Sequence, residues 1–150
     1  MKYVHTNIIC KNIETLSKFY IEVFECKQVG SETKLIGEWV EKGTGVKNAE
    51  IRSIVLQLPG YENDGPKLEI FQYSEVVNDA PEPSANRKGF GHLAFSVNNV
   101  EETLNIALQN NGKKIGELVT KEFKKGTFTY VYITDPEGNI IEIQNWTPHS

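Results

Sequence analysis

The stretch that decides the fold is residues 5–14, HTNIICKNIE, because its outline returns at residues 92–101 as HLAFSVNNVE. In both copies a histidine stands eight residues before an aliphatic residue and nine residues before a glutamate. The two halves also close alike, with KLEIFQY at 67–73 and IIEIQNW at 140–146. Two histidines and two glutamates therefore occupy matching places in two copies of one unit.

The composition is that of an ordinary globular protein and argues against several classes of function. The net charge is −4 and the only arginines are Arg52 and Arg87, so we expect no nucleic-acid partner. No apolar run reaches the roughly 18–20 residues that span a bilayer, and we expect neither a membrane segment nor a secretory signal. Cys10 and Cys26 are expected to be buried thiols outside any disulfide, which favours the cytoplasm.

Hydrophobic periodicity predicts the order βαβββ in each half of the chain. In the first half the predicted strands are 3–10, 34–40, 51–58 and 67–73, with a helix from Ile13 to about Cys26 that Asn12 caps. In the second half the predicted strands are 91–97, 114–118, 128–134 and 139–146, with a helix that Asn99 caps and Gly112 ends. The apolar stripe of that second helix is predicted to be Val100, Leu104, Ala107 and Leu108.

These elements predict an α+β protein of two modules, residues 1–73 and residues 90–146. Residues 74–89 contain Pro81, Pro83 and Ser84 with few apolar side chains, and we interpret them as a linker. The two βαβββ modules are expected to form a curved mixed sheet around a metal-binding cleft, with the helices on the outer face. The third histidine, His149, adjoins the C-terminus and is expected to be disordered.

Strand parity assigns the repeated polar residues to one face of the sheet. Side chains alternate between the two faces of a strand, and Leu68 and Ile70 share one face, so Glu69 lies on the other. Four side chains oppose the apolar faces in this way: His5, Glu69, His92 and Glu142. If the apolar faces pack on the helices and the halves curl toward each other, these four side chains line a common cleft.

Neutral imidazole nitrogens and carboxylate oxygens are ligands for divalent Ni, Zn, Co, Mn or Fe. We therefore predict that His5, Glu69, His92 and Glu142 hold one such ion, without help from a cysteine. Four protein ligands leave one or two positions open for water or substrate oxygens. A metal in that setting can polarise a carbonyl, and a glutamate beside it can move a proton.

Three features together resemble the vicinal oxygen chelate superfamily: the doubled βαβββ unit, the stretch GFGHLAFSV at 89–97 and the stretch DPEGNIIEI at 135–143. That superfamily includes glyoxalase I, methylmalonyl-CoA epimerase, extradiol dioxygenases, fosfomycin-resistance enzymes and bleomycin-binding proteins. The resemblance covers nearly the whole chain. The set His5, Glu69, His92 and Glu142 matches the bacterial glyoxalase I ligands residue by residue.

By this resemblance, the protein is expected to be a metal-dependent lyase or isomerase of glyoxalase I type. Glu142 or Glu69 would take a proton from a hemithioacetal of a small-molecule substrate, and the metal would stabilise the enediolate. An acyl-CoA epimerase is an alternative, although its extra catalytic glutamate falls near Ile54 here, with Glu50 nearby in sequence. A non-enzymatic binding or resistance protein is the other alternative. Members of the superfamily commonly form dimers, so a homodimer is expected.

Further pocket residues follow from parity. Tyr130 and Tyr132 oppose Val131 and Ile133 and should share the face of Glu142, as Phe71 should share that of Glu69. Arg52 or Arg87 could hold a substrate carboxylate or phosphate. The predicted substrate-binding residues are Phe71, Tyr130, Tyr132 and Arg52. For the aromatic residues, barrel filling or a dimer contact is the alternative role.

Overall fold

The computed structural model of the protein describes residues 1–77 and 82–149. Their secondary structure falls into two units, Met1–Ala80 and Pro81–Ser150, and each unit has one mixed sheet of five strands. The α+β class predicted from the sequence is confirmed. The predicted linker, residues 74–89, includes residues 78–81, which lie outside the described part of the chain. No helix within the described ranges has the length and apolar character needed to cross a membrane.

The first unit contains β1 (His5–Ile9), α1 (Ile13–Phe24), β2 (Lys27–Gln28), β3 (Thr33–Ile36), α2 (Glu38–Thr44), β4 (Glu50–Gln57) and β5 (Lys67–Tyr73). Strand β5 lies between β1 and β4, and both short strands, β2 and β3, pair with β4. The β1–β5 pair is parallel and the other pairs are antiparallel. Together β2 and β3 therefore take the place of one interrupted strand in the βαβββ order.

The second unit contains β6 (Leu93–Ser96), α3 (Val100–Gln109), β7 (Lys113–Lys114), β8 (Val119–Phe123), β9 (Gly126–Thr134) and β10 (Ile140–Pro148). It repeats the topology of the first unit. Strand β10 lies between β6 and β9, with β6 parallel to it, and both β7 and β8 pair with β9. The internal duplication predicted from the sequence is thus present in the strand order.

The same capping residue begins the main helix of each unit. The Asn12 side chain accepts a hydrogen bond from the Thr15 amide at 2.8 Å, and the Asn99 side chain accepts one from the Glu102 amide at 3.1 Å. Each bond satisfies a backbone donor that the first helical turn would otherwise leave unpaired. Both caps confirm the helix starts predicted from the sequence.

Each main helix packs on one face of its own sheet, where the apolar side chains of the strands are buried. Helix α1 contacts β4 and β5, and helix α3 contacts β9 and β10. The buried residues of the first unit include Leu16, Phe19, Tyr20, Leu56, Leu68 and Ile70, and those of the second include Leu104, Ala107, Val131, Ile133, Ile141 and Ile143. We call these two sides of the sheets the helix faces.

The predicted strand 34–40 is wrong beyond Ile36. Gly37 has a φ of 112°, which interrupts the extended backbone, and α2 follows at once. Val40 of this helix packs with Ala49 and Ile51 in a small apolar cluster. Gly43 and Thr44 complete the helix, and Gly45 forms its C-cap.

Three other expectations need correction. Leu108 is 43% exposed, since the buried side of α3 is formed by Val100, Leu104 and Ala107. The predicted strand 114–118 is wrong beyond Lys114, because β8 begins only at Val119 and its five exposed residues give no apolar alternation. His149 belongs to the described part of the chain, where its Nε2 lies 3.0 Å from Glu122 Oε2, so the expected disorder is wrong.

The turn between β9 and β10 is organised by the buried carboxylate of Asp135. Its Oδ1 accepts hydrogen bonds from the Glu137 and Asn139 amides, each at 2.9 Å, and its Oδ2 accepts one from Asn139 Nδ2 at 2.8 Å. The Asp135 amide donates to the Asn139 carbonyl at 2.9 Å, and Gly138 has a φ of 91°. These bonds start β10 in the register that sets Glu142 opposite Tyr132.

We predict that Asp135→Ala destabilises the protein by about 3 kcal/mol, because three donors lose a charged acceptor in a buried place. Urea unfolding followed by circular dichroism measures the change. The exposed Asp64, paired with Lys2 at the surface, gives the control Asp64→Ala, which should leave the midpoint nearly unchanged. A loss below about 1 kcal/mol in Asp135→Ala would show that the turn does not depend on this carboxylate.

Arg52 ties α1 to the first sheet. Its Nε and Nη2 donate to the two carboxylate oxygens of Glu32 at 2.6 and 2.9 Å, and its Nη2 also donates to Glu14 in the first turn of α1. The guanidinium holds the pKa values of Glu14 and Glu32 below their ordinary range, through these hydrogen bonds first of all. Both carboxylates therefore favour the folded state only while they are ionised.

The lowered pKa values predict a pH-dependent contribution of Arg52 to stability. Above about pH 4.5, the ordinary value for a glutamate, wild type should be more stable than Arg52→Met. As pH falls through the lower folded-state pKa values, protonation of Glu14 and Glu32 should remove that difference. Urea midpoints of both proteins at pH 7 and pH 3 test this. An equal gap at the two pH values would contradict the ion cluster.

Candidate metal-binding site

The first His–Glu pair is set by the parallel pairing of β1 and β5. Asn7 lies opposite Glu69 in this ladder, and His5 stands two residues earlier on the same face of β1. His5 Nε2 lies 3.3 Å from Glu69 Oε2. The neighbours Leu68 and Ile70 are fully buried on the helix face, so Glu69 points to the other side of the sheet. We call this side the Glu69 face.

The second His–Glu pair repeats the arrangement in β6 and β10. Ala94 lies opposite Glu142, and His92 stands two residues before Ala94. His92 Nε2 lies 3.1 Å from Glu142 Oε2. Ile141 and Ile143 are fully buried on the helix face, so Glu142 points away from α3. The side of the second sheet that carries Glu142 is called the Glu142 face.

The donor separations in both pairs are those of a direct His–Glu ion pair, and they also match two adjacent ligands on one metal ion. With metal–ligand bonds of about 2.1 Å, adjacent donors lie about 3.0 Å apart at a right angle and about 3.4 Å apart at a tetrahedral angle. The observed separations of 3.3 and 3.1 Å fall between these values. Each unit therefore offers one imidazole nitrogen and one carboxylate oxygen in suitable positions for a divalent cation.

Neither pair has further ligands beside it. Across residues 1–77 and 82–149, no three His, Cys, Asp or Glu side chains form a group that could hold a metal ion. The two cysteines, Cys10 and Cys26, are buried thiols, and burial raises the pKa of Cys26 to about 12. Among the described residues, each unit therefore contributes one His–Glu pair.

The second pair lies beside a row of aromatic rings on the Glu142 face. Tyr132 pairs with Glu142 and Tyr130 pairs with Gln144 in the antiparallel ladder. The Tyr132 ring centroid is 5.0 Å from that of His92 and 6.0 Å from that of Tyr130. Phe128 extends the row, 5.2 Å from Tyr130. Partial burial, and then the charge of Glu142, raises the pKa of Tyr132 above its ordinary value.

The first pair has different surroundings. Val55 lies opposite Glu69, and Phe71 shares the Glu69 face two residues further along β5. Phe71 packs against the apolar cluster of Val40, Ala49 and Ile51, so α2 contributes to this face of the sheet. Of the predicted substrate-binding residues, Phe71, Tyr130 and Tyr132 each share a face with the glutamate of their own unit.

Arg52 lies on the other side of the first sheet. It pairs with Gln72, whose side chain accepts a hydrogen bond from the Ile13 amide at 2.9 Å at the start of α1. Arg52 therefore belongs to the helix face and is engaged by Glu14 and Glu32 rather than turned toward Glu69. Arg87 lies outside the strands and donates from Nη2 to the Glu82 carbonyl.

Two features around the pairs were not predicted. Helix α2 was not expected, and its first residues, 38–40, were placed in a strand, although Glu38 and Lys42 have the i,i+4 spacing of a helical ion pair and lie 2.7 Å apart. The contact between His92 and Tyr132 joins residues that are distant in sequence. Strand parity could place Tyr132 on the correct face, but parity could not show which aromatic ring Tyr132 contacts.

Solved structures with the same fold come from several organisms. A glyoxalase family protein from Bacillus cereus superposes with a TM-score of 0.80 at 18% identity, covering 97% of this chain and 93% of that one. A glyoxalase family protein from Enterococcus faecalis gives 0.58 at 21% identity, with coverage of 95% and 96%. A mutant of glyoxalase I from Zea mays gives 0.62 at 20% identity, covering 95% of this chain and 44% of the maize chain. At such identities the likeness shows the fold alone.

Sequence comparison identifies the family directly. No protein with a curated function matches the chain. The sequence model of the Glyoxalase/Bleomycin resistance protein/Dioxygenase superfamily matches residues 2–143, nearly the full length. Its members often use a divalent metal ion, and they include enzymes as well as many proteins without enzymatic activity. The chain therefore belongs to the Glyoxalase/Bleomycin resistance protein/Dioxygenase superfamily.

Proposed function

We propose that the protein is a divalent-metal-dependent lyase or isomerase of glyoxalase I type. Its metal ligands would be His5, Glu69, His92 and Glu142. The observation that carries this proposal is the His–Glu pair repeated at equivalent places, with donor separations of 3.3 and 3.1 Å. Two such pairs supply the four-ligand set that resembles bacterial glyoxalase I. The identity of the metal stays open among Ni, Zn, Co, Mn and Fe.

When bound, a divalent ion supplies Lewis acidity that polarises a substrate carbonyl and acidifies the neighbouring C–H. The chain itself must then move the proton. A carboxylate oxygen of Glu142 is the best-placed base, because its side chain is 14% exposed beside His92 and Tyr132. Glu69, at 23% exposed, is the second candidate. The low exposure of the two carboxylates limits the access of water, which would otherwise protonate the base or exchange with the transferred proton.

An acyl-CoA epimerase receives less support from the first sheet. Such an enzyme is expected to carry a further glutamate on a middle strand of this unit, near Ile54. Ile54 is buried and pairs with Ile70, so it belongs to the helix face. Glu50 lies 2.8 Å from Lys34 in an ion pair at the start of β4. The residues of β4 that share the Glu69 face carry no carboxylate: Ile51, Ser53, Val55 and Gln57.

A small-molecule-binding or resistance protein is the second candidate. The aromatic row of Phe128, Tyr130 and Tyr132 favours it, because three rings on one face provide a surface for a planar ligand whether or not chemistry follows. Superfamily members bind small molecules and often dimerise. We accordingly propose a small-molecule substrate and a homodimer. The buried thiols remain the basis for proposing a cytoplasmic protein.

Substrate assays separate these functions. Metal-free protein and protein loaded with Ni²⁺ or Zn²⁺ are incubated with methylglyoxal plus several thiols, or with methylmalonyl-CoA. A lyase of glyoxalase type should convert the methylglyoxal hemithioacetal only when loaded. Solvent hydrogen exchange into methylmalonyl-CoA alone would instead show an epimerase. If neither substrate shows exchange or turnover and a planar ligand binds tightly, the result would favour the binding protein.

We predict that Glu142→Gln keeps the fold and lowers turnover at least ~10²-fold at saturating metal, since the amide cannot accept the proton. Circular dichroism and metal content verify that the variant is folded and loaded. Glu122→Gln is the matched control, because Glu122 lies on exposed β8 with His149 and should keep wild-type turnover. Near-normal turnover of loaded Glu142→Gln would remove Glu142 as the base.

A further inference from the structure

The duplication allows the two His–Glu pairs to be compared position by position. The residue opposite the glutamate on the next antiparallel strand is Val55 in the first unit and Tyr132 in the second. The ligands and their spacing are alike, whereas this neighbour differs. One difference between the surroundings of the two histidines therefore lies at these two positions.

The strand pairing beside the two histidines differs by one residue. His5 is the first residue of β1 and lies opposite Lys67 of β5. His92 precedes β6, and the pairing of β6 with β10 begins at Leu93. The ladder therefore includes His5 and stops one residue short of His92, and a side chain outside the ladder has more orientational freedom to lose when a ligand is bound.

The Tyr132 ring contacts the His92 ring. The centroids of the His92 and Tyr132 rings lie 5.0 Å apart with an interplanar angle of 51°, within the range of favourable aromatic contacts. The same tyrosine lies opposite Glu142 in the β9–β10 ladder, so it contacts His92 and is a neighbour of Glu142. The His92 side chain is still 35% exposed, which leaves its Nε2 accessible.

We infer that Tyr132 is a positioning residue that holds the His92 imidazole against Glu142. The first pair is preorganised by strand pairing, and the second is preorganised by a ring contact. This inference rests on the proposed metal-binding role of the pairs. Neighbours that orient a ligand typically change metal affinity by about 10- to 100-fold when they are removed.

The test is a Ni²⁺ titration against a competing chromophoric chelator for wild type and three variants. Tyr132→Val installs the residue that the first unit already carries at this place and should weaken Ni²⁺ binding by about 10-fold. Tyr132→Phe keeps the ring and should bind within about twofold of wild type. Val55→Ala is the matched control in the first unit and should also stay within about twofold, because no ring is lost there.

Two results of the titration would overturn the inference. Tyr132→Val could bind Ni²⁺ as tightly as wild type, or Tyr132→Phe could bind as weakly as Tyr132→Val, which would assign the effect to the hydroxyl. Wild-type protein that binds no Ni²⁺, Zn²⁺, Co²⁺, Mn²⁺ or Fe²⁺ would instead refute the proposed function.

The positioning role can also be tested without metal, by NMR of the metal-free protein. In imidazole NMR spectra, the His92 ring protons should carry a ring-current shift in wild type and Tyr132→Phe. Tyr132→Val should lose this shift, whereas Val55→Ala should keep it. Unchanged His92 signals in Tyr132→Val would overturn the ring contact by itself.

Discussion

The parallel pairing between the first and last strands of each unit is the constraint on which the rest depends. In β1–β5 and in β6–β10, the histidine stands two residues before the partner of the glutamate. A slip of one residue would turn the glutamate toward the helix and its apolar neighbours toward the opposite face. Burial of Leu68 and Ile70, and of Ile141 and Ile143, resists that slip. Packing against α1 and α3 thus sets the position of both polar pairs.

Much of this arrangement could be predicted from the sequence because it follows from local rules. Alternation in the last strand of each unit gave the face of each glutamate, and Asn12 and Asn99 marked the helix starts. The Pro, Gly and Asn residues that follow Asp135 are also typical of a turn. These features need only neighbouring residues, so one sequence is enough to identify them.

The remaining features depend on tertiary contacts or on weak patterns. Gly37 ends β3 earlier than the apolar residues after it predict, because its positive φ lets the chain turn into α2. Strand β8 pairs with β9 without burying a side chain, so no periodicity revealed it. Arg52 was expected in the pocket, but its place in β4 sets it on the helix face, where Glu14 and Glu32 bind it. Such partners lie too far apart in sequence for spacing to connect them.

The proposal that matters most is that His5, Glu69, His92 and Glu142 are ligands of a divalent metal ion. The most direct measurement is calorimetric titration of metal-free protein with Ni²⁺ or Zn²⁺, followed by melting of the loaded protein. The account predicts one ion per chain, a rise in Tm on loading, and loss of both in His5→Ala and in His92→Ala. The absence of stoichiometric binding and of any gain in Tm, or binding that survives in either variant, would contradict it.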